Sequence, residues 1–290
     1  MYNLKEDIKN DLNQISEYVD GFIALGDSDF PIIDGNIFTK KILKRNKNIR
    51  IAKKSDYSVF LSYKGDIKLI NDKNINMAII GVLDPSSKIE QMEMDIVSKF
   101  AKNKTVIVSG LALGCDSIAH KVALKFNTPT IAILPSTIKS ILPSQNSDLA
   151  NQIVINGGLL ISEYYKDAIN FKEQISRYVQ RDRLQALFSD MVILTASYSQ
   201  SDTDKDKKLD SGSRHAMAKA KEYGIRVAVM YDEKLYDSRQ FNLNKDFINK
   251  HKNGYDISEI NKNIRNFKII TSQNAEFILN KFKEYLNLNS

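Results

Sequence analysis

The sequence predicts an α/β protein built on a doubly wound, mostly parallel sheet with small appendages at both ends. Three observations predict it. Six short apolar runs recur between residues 77 and 230, and they are continuous rather than alternating, as in strands buried on both faces. Helix-like segments separate them, which makes strand–helix–strand units and therefore parallel pairing. The chain has 290 residues, is 42% hydrophobic and holds a single cysteine, Cys115. That composition supports a large core and excludes a disulfide scaffold or a cysteine-cluster zinc site.

In chain order, residues 1–56 are expected as a helical and basic N-terminal extension. Its start, MYNLKEDIKNDLNQ, is polar and lacks the apolar core of a signal peptide. Residues 40–54 (KKILKRNKNIRIAKK) carry eight positive charges and no negative one, against a net charge of +7 for the whole chain. The remainder is thus near neutral. Such a stretch is either a polyanion contact or a solvated basic face. Residues 59–70 (VFLSYKGDIKLI) supply a short strand at the entry to a central domain expected over 57–235.

The six runs are MAIIG (77–81), TVIVS (105–109), TIAIL (130–134), LLIS (159–162), MVILT (191–195) and IRVAVM (225–230). Helices are expected from near Ser87, where Ser87 and Glu90 have capping-box spacing, and over 116–126, 145–156, 173–188 and 213–223. Residues 236–290 are expected as a C-terminal helical segment, with Ala275, Ile278, Leu279, Phe282, Tyr285 and Leu286 at helical spacing. No run of 18 apolar residues occurs, so no membrane span is expected. The three histidines stand far apart, and no metal or other cofactor is expected. A reducing, cytoplasmic setting fits this pattern.

In doubly wound sheets, ligands bind outside the carboxyl ends of the strands, so the turns there are the places to read. The first turn starts at Gly81 and has no second glycine, so the G-x-G-x-x-G dinucleotide fingerprint fails. The second holds Gly110 and Gly114 ahead of a helix capped by Asp116 or Ser117. Either its backbone amides approach an anion, or the glycines only permit a tight turn. A third has Ser211, Gly212 and Ser213 at a helix start, which suits an anion in the same way. The preceding hydrophilic stretch, 197–210, reads as a mobile lid or a surface insertion. Arg177, Arg181 and Arg183 flank Asp182, and are either phosphate-binding guanidinium groups or members of structural ion pairs.

The segment Ser109-Gly110-Leu111-Ala112-Leu113-Gly114-Cys115-Asp116-Ser117-Ile118-Ala119-His120 resembles the signature S-G-L-A-x-G-I-D-x-x-A-H of the DprA/Smf family of DNA-processing proteins. Further motifs follow in the family's order: Pro143 to Asn146 resembles P-x-x-N, Gly158 to Tyr164 resembles G-x-L-x-S-E-Y, Arg181 to Asp190 resembles R-N-R-I-x-x-x-L-S, and Ser211-Gly212-Ser213 resembles S-G-S. The likeness covers about residues 57–232. It departs at Gly81-Val82-Leu83, where the family has Gly-Ser-Arg, and at Asp182, where the family has asparagine.

This resemblance implies a Rossmann-like fold and a non-enzymatic protein that binds single-stranded DNA. It implies a role in natural transformation, loading of a RecA-type recombinase and action as a dimer. By position it implies phosphate or nucleic-acid contacts at Gly81, Ser109, Gly110, Leu111, Ala112, Gly114, Lys121, Arg181, Arg183, Ser211, Gly212 and Ser213. Replacing Arg181 and Arg183 together is then expected to weaken DNA binding with little change in melting temperature.

Two other functions stay open. A Rossmann-type sensor would hold a nucleotide-derived ligand, with Glu163 or His120 as contacts. A nucleoside-monophosphate phosphoribohydrolase would share the fold, but its P-G-G-x-G-T-x-x-E segment is not in this sequence. No nucleophile stands beside a base, so no catalytic residue is expected.

Overall fold

The computed structural model describes residues 15–24, 60–70, 74–207, 209, 212–252, 256–264 and 266–287. Nine strands are described: β1 (Gly21–Ala24), β2 (Phe60–Gly65), β3 (Asn76–Ile80), β4 (Val106–Ser109), β5 (Thr130–Leu134), β6 (Leu159–Ser162), β7 (Met191–Leu194), β8 (Arg226–Met230) and β9 (Phe267–Ile270). They form one sheet in the order β1-β2-β6-β5-β4-β3-β7-β8-β9. Every pair from β6 across to β9 is parallel, while β1 and β2 add an antiparallel edge beside β6. The fold is a Rossmann-like doubly wound α/β architecture, as the sequence predicts.

The continuous apolar runs have a simple cause. Ala78 and Ile80 of β3 join one core layer with Val108, Ile133, Val192 and Val229. Met77 and Ile79 face the opposite way and join Ile107, Ile193 and Met230. Both faces are covered, so neither parity of side chain is polar. Helices α1 (Ser87–Lys102), α2 (Cys115–Lys125) and α3 (Ser147–Ile155) cover one face, and α4 (Phe171–Leu187) covers the other. Short α5 (Gln200–Lys205) precedes α6 (Gly212–Glu222), which packs beside α4. Helices α7 (Asn242–Lys252), α8 (Ile257–Asn263) and α9 (Ala275–Asn287) complete the described chain. α9 buries Ala275, Ile278, Leu279, Phe282 and Leu286, each larger side chain contributing on the order of 1.5–3 kcal/mol.

From β3 the chain winds outward through β4 and β5 to β6, then α4 returns it to β7 on the other side of β3. Strand order therefore reverses at β3, and a crevice is left at its carboxyl end.

The six runs become β3 to β8 with ends shifted by one residue at most. Four expectations need correction. The Ser87–Glu90 capping box is not formed, because Ser86 is the N-cap residue and its carbonyl accepts the Glu90 amide. The described part of 197–210 is not an open lid. Ser199 and Asp202 form a capping box that starts α5. Although burial opposes it, hydrogen bonds from Asn242, Ser199 and Arg239 pull the Asp202 carboxyl down to about 2. Residues 236–290 are not only helical, since β9 pairs with β8 and extends the sheet. At the other end, described residues 15–24 of the expected helical extension contain a 3-10 turn and β1, while the basic stretch 40–54 lies outside the described residues.

Candidate functional site

A crevice of about 390 Å³ opens at the carboxyl end of β3. Gly81 and Leu83 line it from the turn after β3, and Ala112, Leu113 and Asp116 from the turn after β4. Tyr178, Val179, Arg181, Asp182 and Gln185 line it from α4, and Gly212, Ser213 and His215 from the start of α6. Positions 178, 181, 182 and 185 recur at three- and four-residue intervals, so one face of α4 forms a wall. The turns singled out in the sequence do meet at one rim.

The turn after β4 is closed by its own helix. Asp116 Oδ2 accepts from the backbone amides of Gly110 at 3.0 Å and Ala112 at 3.3 Å. Ser117 Oγ donates to the Ala112 carbonyl, and Asn146 Nδ2 donates to the carbonyls of Leu111 and Ala112. Asp116 and Ser117 therefore cap the turn rather than the helix, whose N-cap is Gly114. The amides expected to hold an outside anion are already taken by this carboxylate. Ser109 and Leu111 are fully buried, and Ser109 Oγ donates to the Ile79 carbonyl.

The glycines have packing reasons. Gly114 has φ +68°, and a side chain there would strike the carbonyls of Val82 and Leu83. A side chain on Gly110 would occupy the space of the Arg181 guanidinium. Gly81 lies against Cys115 Sγ and Thr195.

Arg181 is only 3% exposed. Its Nη1 lies 3.6 Å from Asp116 Oδ2, and its Nε 3.7 Å from Asp182 Oδ1. Both nitrogens are buried without a hydrogen-bond partner among the described residues, as is Gln185 Oε1. Burial pushes the Asp116 carboxyl up, and the Arg181 guanidinium pulls against that. The crevice thus holds two carboxylates against one guanidinium, between apolar walls. It is a largely apolar slot with a charge-compensated guanidinium at its base rather than a strongly cationic cradle.

The other candidates lie elsewhere. Arg183 makes a bidentate pair with Glu163, at 2.7 and 2.5 Å, and both side chains are 12% exposed. Arg177 pairs with Glu173, donates to the Lys166 carbonyl and sits over the Tyr164 ring. Of the two readings of these arginines, the ion-pair one describes Arg177 and Arg183. Lys121 is exposed on α2 and does not line the crevice. Ser211 lies outside the described residues. Arg181 is buried and Arg183 is part-buried in its pair with Glu163, so removing the two together is expected to cost stability as well as any DNA contact.

His120 is fully buried, with Nδ1 2.7 Å from Thr130 Oγ1. The Thr130 hydroxyl proton goes to the Ile107 carbonyl, so His120 Nδ1 carries the hydrogen and donates. Nε2 is then a bare acceptor with no partner among the described residues. Burial and Arg181 hold the imidazole at about 3. It is a neutral core group out of a ligand's reach.

Glu93 was not read as special in the sequence, although it breaks the apolar stripe Ile89, Met92, Ile96, Val97, Phe100 of α1. It is fully buried beside Cys115 and Thr195, and burial pushes its carboxyl well above the usual range, with the Asp116 and Glu90 charges adding to the rise. Folded Glu93 therefore keeps a proton that the unfolded chain releases above pH 4.5, so its share of stability falls as pH rises through that range. His120 acts oppositely. The unfolded imidazole gains a proton below pH 6.5 while the folded one resists to about 3, so stability falls as pH drops through that window. The two slopes oppose each other between pH 4.5 and 6.5. Glu93→Gln is expected to gain stability over the parent as pH rises from 5 to 8, by up to about 1.4 kcal/mol per pH unit. Urea unfolding at several pH values checks this, and a pH-independent difference contradicts it.

A family model for DNA recombination-mediator protein A matches residues 39–261. This range includes the basic stretch 40–54 and extends beyond the expected central domain at both ends. The chain is 31% identical over 134 residues to Protein Smf of Borreliella burgdorferi, across 46% of this chain and 41% of that protein. The matched segment thus spans less than half of that relative. Among solved structures, DNA processing protein A from Helicobacter pylori, described for its single-stranded DNA binding mode, superposes with a TM-score of 0.62 and 26% identity, covering 91% of this chain and 97% of that one. The X-ray structure of DNA processing protein A from Streptococcus pneumoniae has the same fold, with a TM-score of 0.65 and 20% identity over 94% of this chain and 80% of that one.

Proposed function

The chain belongs to the DNA recombination-mediator protein A family, and from that premise we propose that it binds single-stranded DNA at the crevice beyond β3 without catalytic turnover. The observation that carries this reading is the convergence of the turns after β3 and β4 and of the α6 start on one crevice, where Arg181 and Gln185 stand beside the apolar walls of Tyr178, Val179 and Leu113. A phosphate entering there would meet Asp116 and Asp182. A nucleobase suits it better. The base face lies against Tyr178, Val179 and Leu113, with Arg181 and Gln185 lining the slot beside it. Only an unpaired strand can offer a base in this way.

The strand's phosphates then stay outside, at the rim. Gly212 and Ser213 face them at the start of α6, and residues 40–54 supply most of the attraction. The protein acts in DNA processing and natural transformation, protecting a strand and passing it to a RecA-type recombinase. It works as a cytoplasmic homodimer and needs no cofactor. No helix among the described residues is long and apolar enough to cross a membrane.

Fluorescence anisotropy with labelled single-stranded and duplex DNA at several salt concentrations tests this. Single strands are expected to bind at least about tenfold more tightly than duplex. A log–log salt slope of about −3 would correspond to roughly four phosphate contacts. Equal binding of both forms, or none, contradicts the proposal. Saturable uptake of a small nucleotide into the β3 crevice would then favour the sensor, and release of a free base from a nucleoside monophosphate the hydrolase.

A further inference from the structure

A second, larger cavity of about 730 Å³ lies at the opposite end of the sheet. Its floor is formed by Met191 and Arg226, the first residues of β7 and β8, so a strand length, on the order of 15 Å, separates it from the crevice. Its sides are α8 and α9. The charged side chains among its described lining residues are Arg226, Lys262, Lys268 and Lys281, of which Lys281 pairs with Glu284 at 2.8 Å outside the lining. The aromatic ones are Phe277, Phe282 and Tyr285.

We propose that this cavity between α8 and α9 is a second binding site, for a nucleotide unit: a phosphate held by Lys262 in the field of the neighbouring cations, and a base stacked on Phe277. Three features support it. Arg226 is 6% exposed and stacks on Tyr285, with its guanidinium 3.9 Å from the ring centroid. This fixes a buried positive charge at the floor. Lys268 donates to the carbonyls of Asn261 and Ile264, which hold its ammonium at the C-terminal end of α8 beside the cavity. Burial, and then the Arg226 charge, depress its pKa, as expected of two cations held together. Phe277 is 63% exposed at the mouth, an apolar ring left in solvent beside cations. Aromatic faces interleaved with positive charge are the elements of nucleotide binding, and the volume lies within the range of about 300–1,000 Å³ usual for small-ligand sites.

The nucleotide unit is either a free nucleoside phosphate or one link of a DNA strand, and titration separates the two. The probes are ADP, followed by calorimetry, and labelled oligo-dT, followed by anisotropy. They are applied to the full chain and to Phe277→Ala and Lys262→Glu, two exposed positions where substitution leaves the fold intact. ADP binding that falls about tenfold in both variants, yet persists in Val179→Glu at the β3 crevice, supports a free nucleotide. Absence of ADP binding, with oligo-dT weakened in both variants, supports a link of the strand. If neither probe responds to the two variants, or if they alter only the oligomeric state, the site is not a nucleotide site. Because Val179→Glu reports on the crevice alone, failure here leaves the proposed function standing, and the reverse also holds.

Discussion

Replacing Arg183 with Ala is expected to cost about 3–5 kcal/mol, because it strands a carboxylate inside the protein. Arg183 and Glu163 are each 12% exposed and meet through two short bonds. Burial alone would lower the Arg183 pKa, but Glu163 outweighs it and raises it. Glu163 stands just after β6 and Arg183 on α4, so the pair ties the helix to the sheet beside the crevice. Arg183→Met combined with Glu163→Gln removes both charges and is expected to recover much of the loss. Urea unfolding of the single and double variants checks this. For a chain of this size the single variant should melt on the order of 10 °C lower. A loss within about 1 kcal/mol, the value of a surface pair, would contradict the account.

The strands were legible because burial on both faces leaves a continuous apolar run, and six such runs became six parallel strands. Their ends were legible as binding turns for a general topological reason. What the sequence did not disclose was which polar group satisfies which. Gly110 and Gly114 read equally as an anion nest or a tight turn, and only the position of Asp116 decides for the turn. Arg181 and Arg183 are two residues apart on one helix, so they point in different directions. One enters the crevice and the other reaches Glu163, a partner 20 residues away in sequence. Glu93 did leave a signal, a carboxylate in an apolar helical stripe. α5 was missed because the hydrophilic composition of 197–210 hid the Ser199–Asp202 capping box. β9 was missed because FKII is short and its lysine interrupts the apolar run.

The second large effect concerns the crevice. Leu113 and Val179 stand on different walls of the slot and are 41% and 42% exposed, so a charged side chain at either needs no burial. Glu at these positions would place a carboxylate where a base face is to rest, beside Asp116 and Asp182. Loss of one stacking contact and addition of one repulsive charge are each worth about 1–3 kcal/mol, or roughly tenfold or more in affinity. Lys121→Glu, at an exposed position of α2 away from the slot, is expected to have only a small electrostatic effect that disappears at high salt.

The most direct measurement is the affinity of Val179→Glu and Leu113→Glu for labelled single-stranded DNA, with melting temperatures recorded alongside. Both are predicted to bind at least about tenfold more weakly than the parent while melting normally. Parental affinity in both variants would contradict placement of the strand at the carboxyl end of β3.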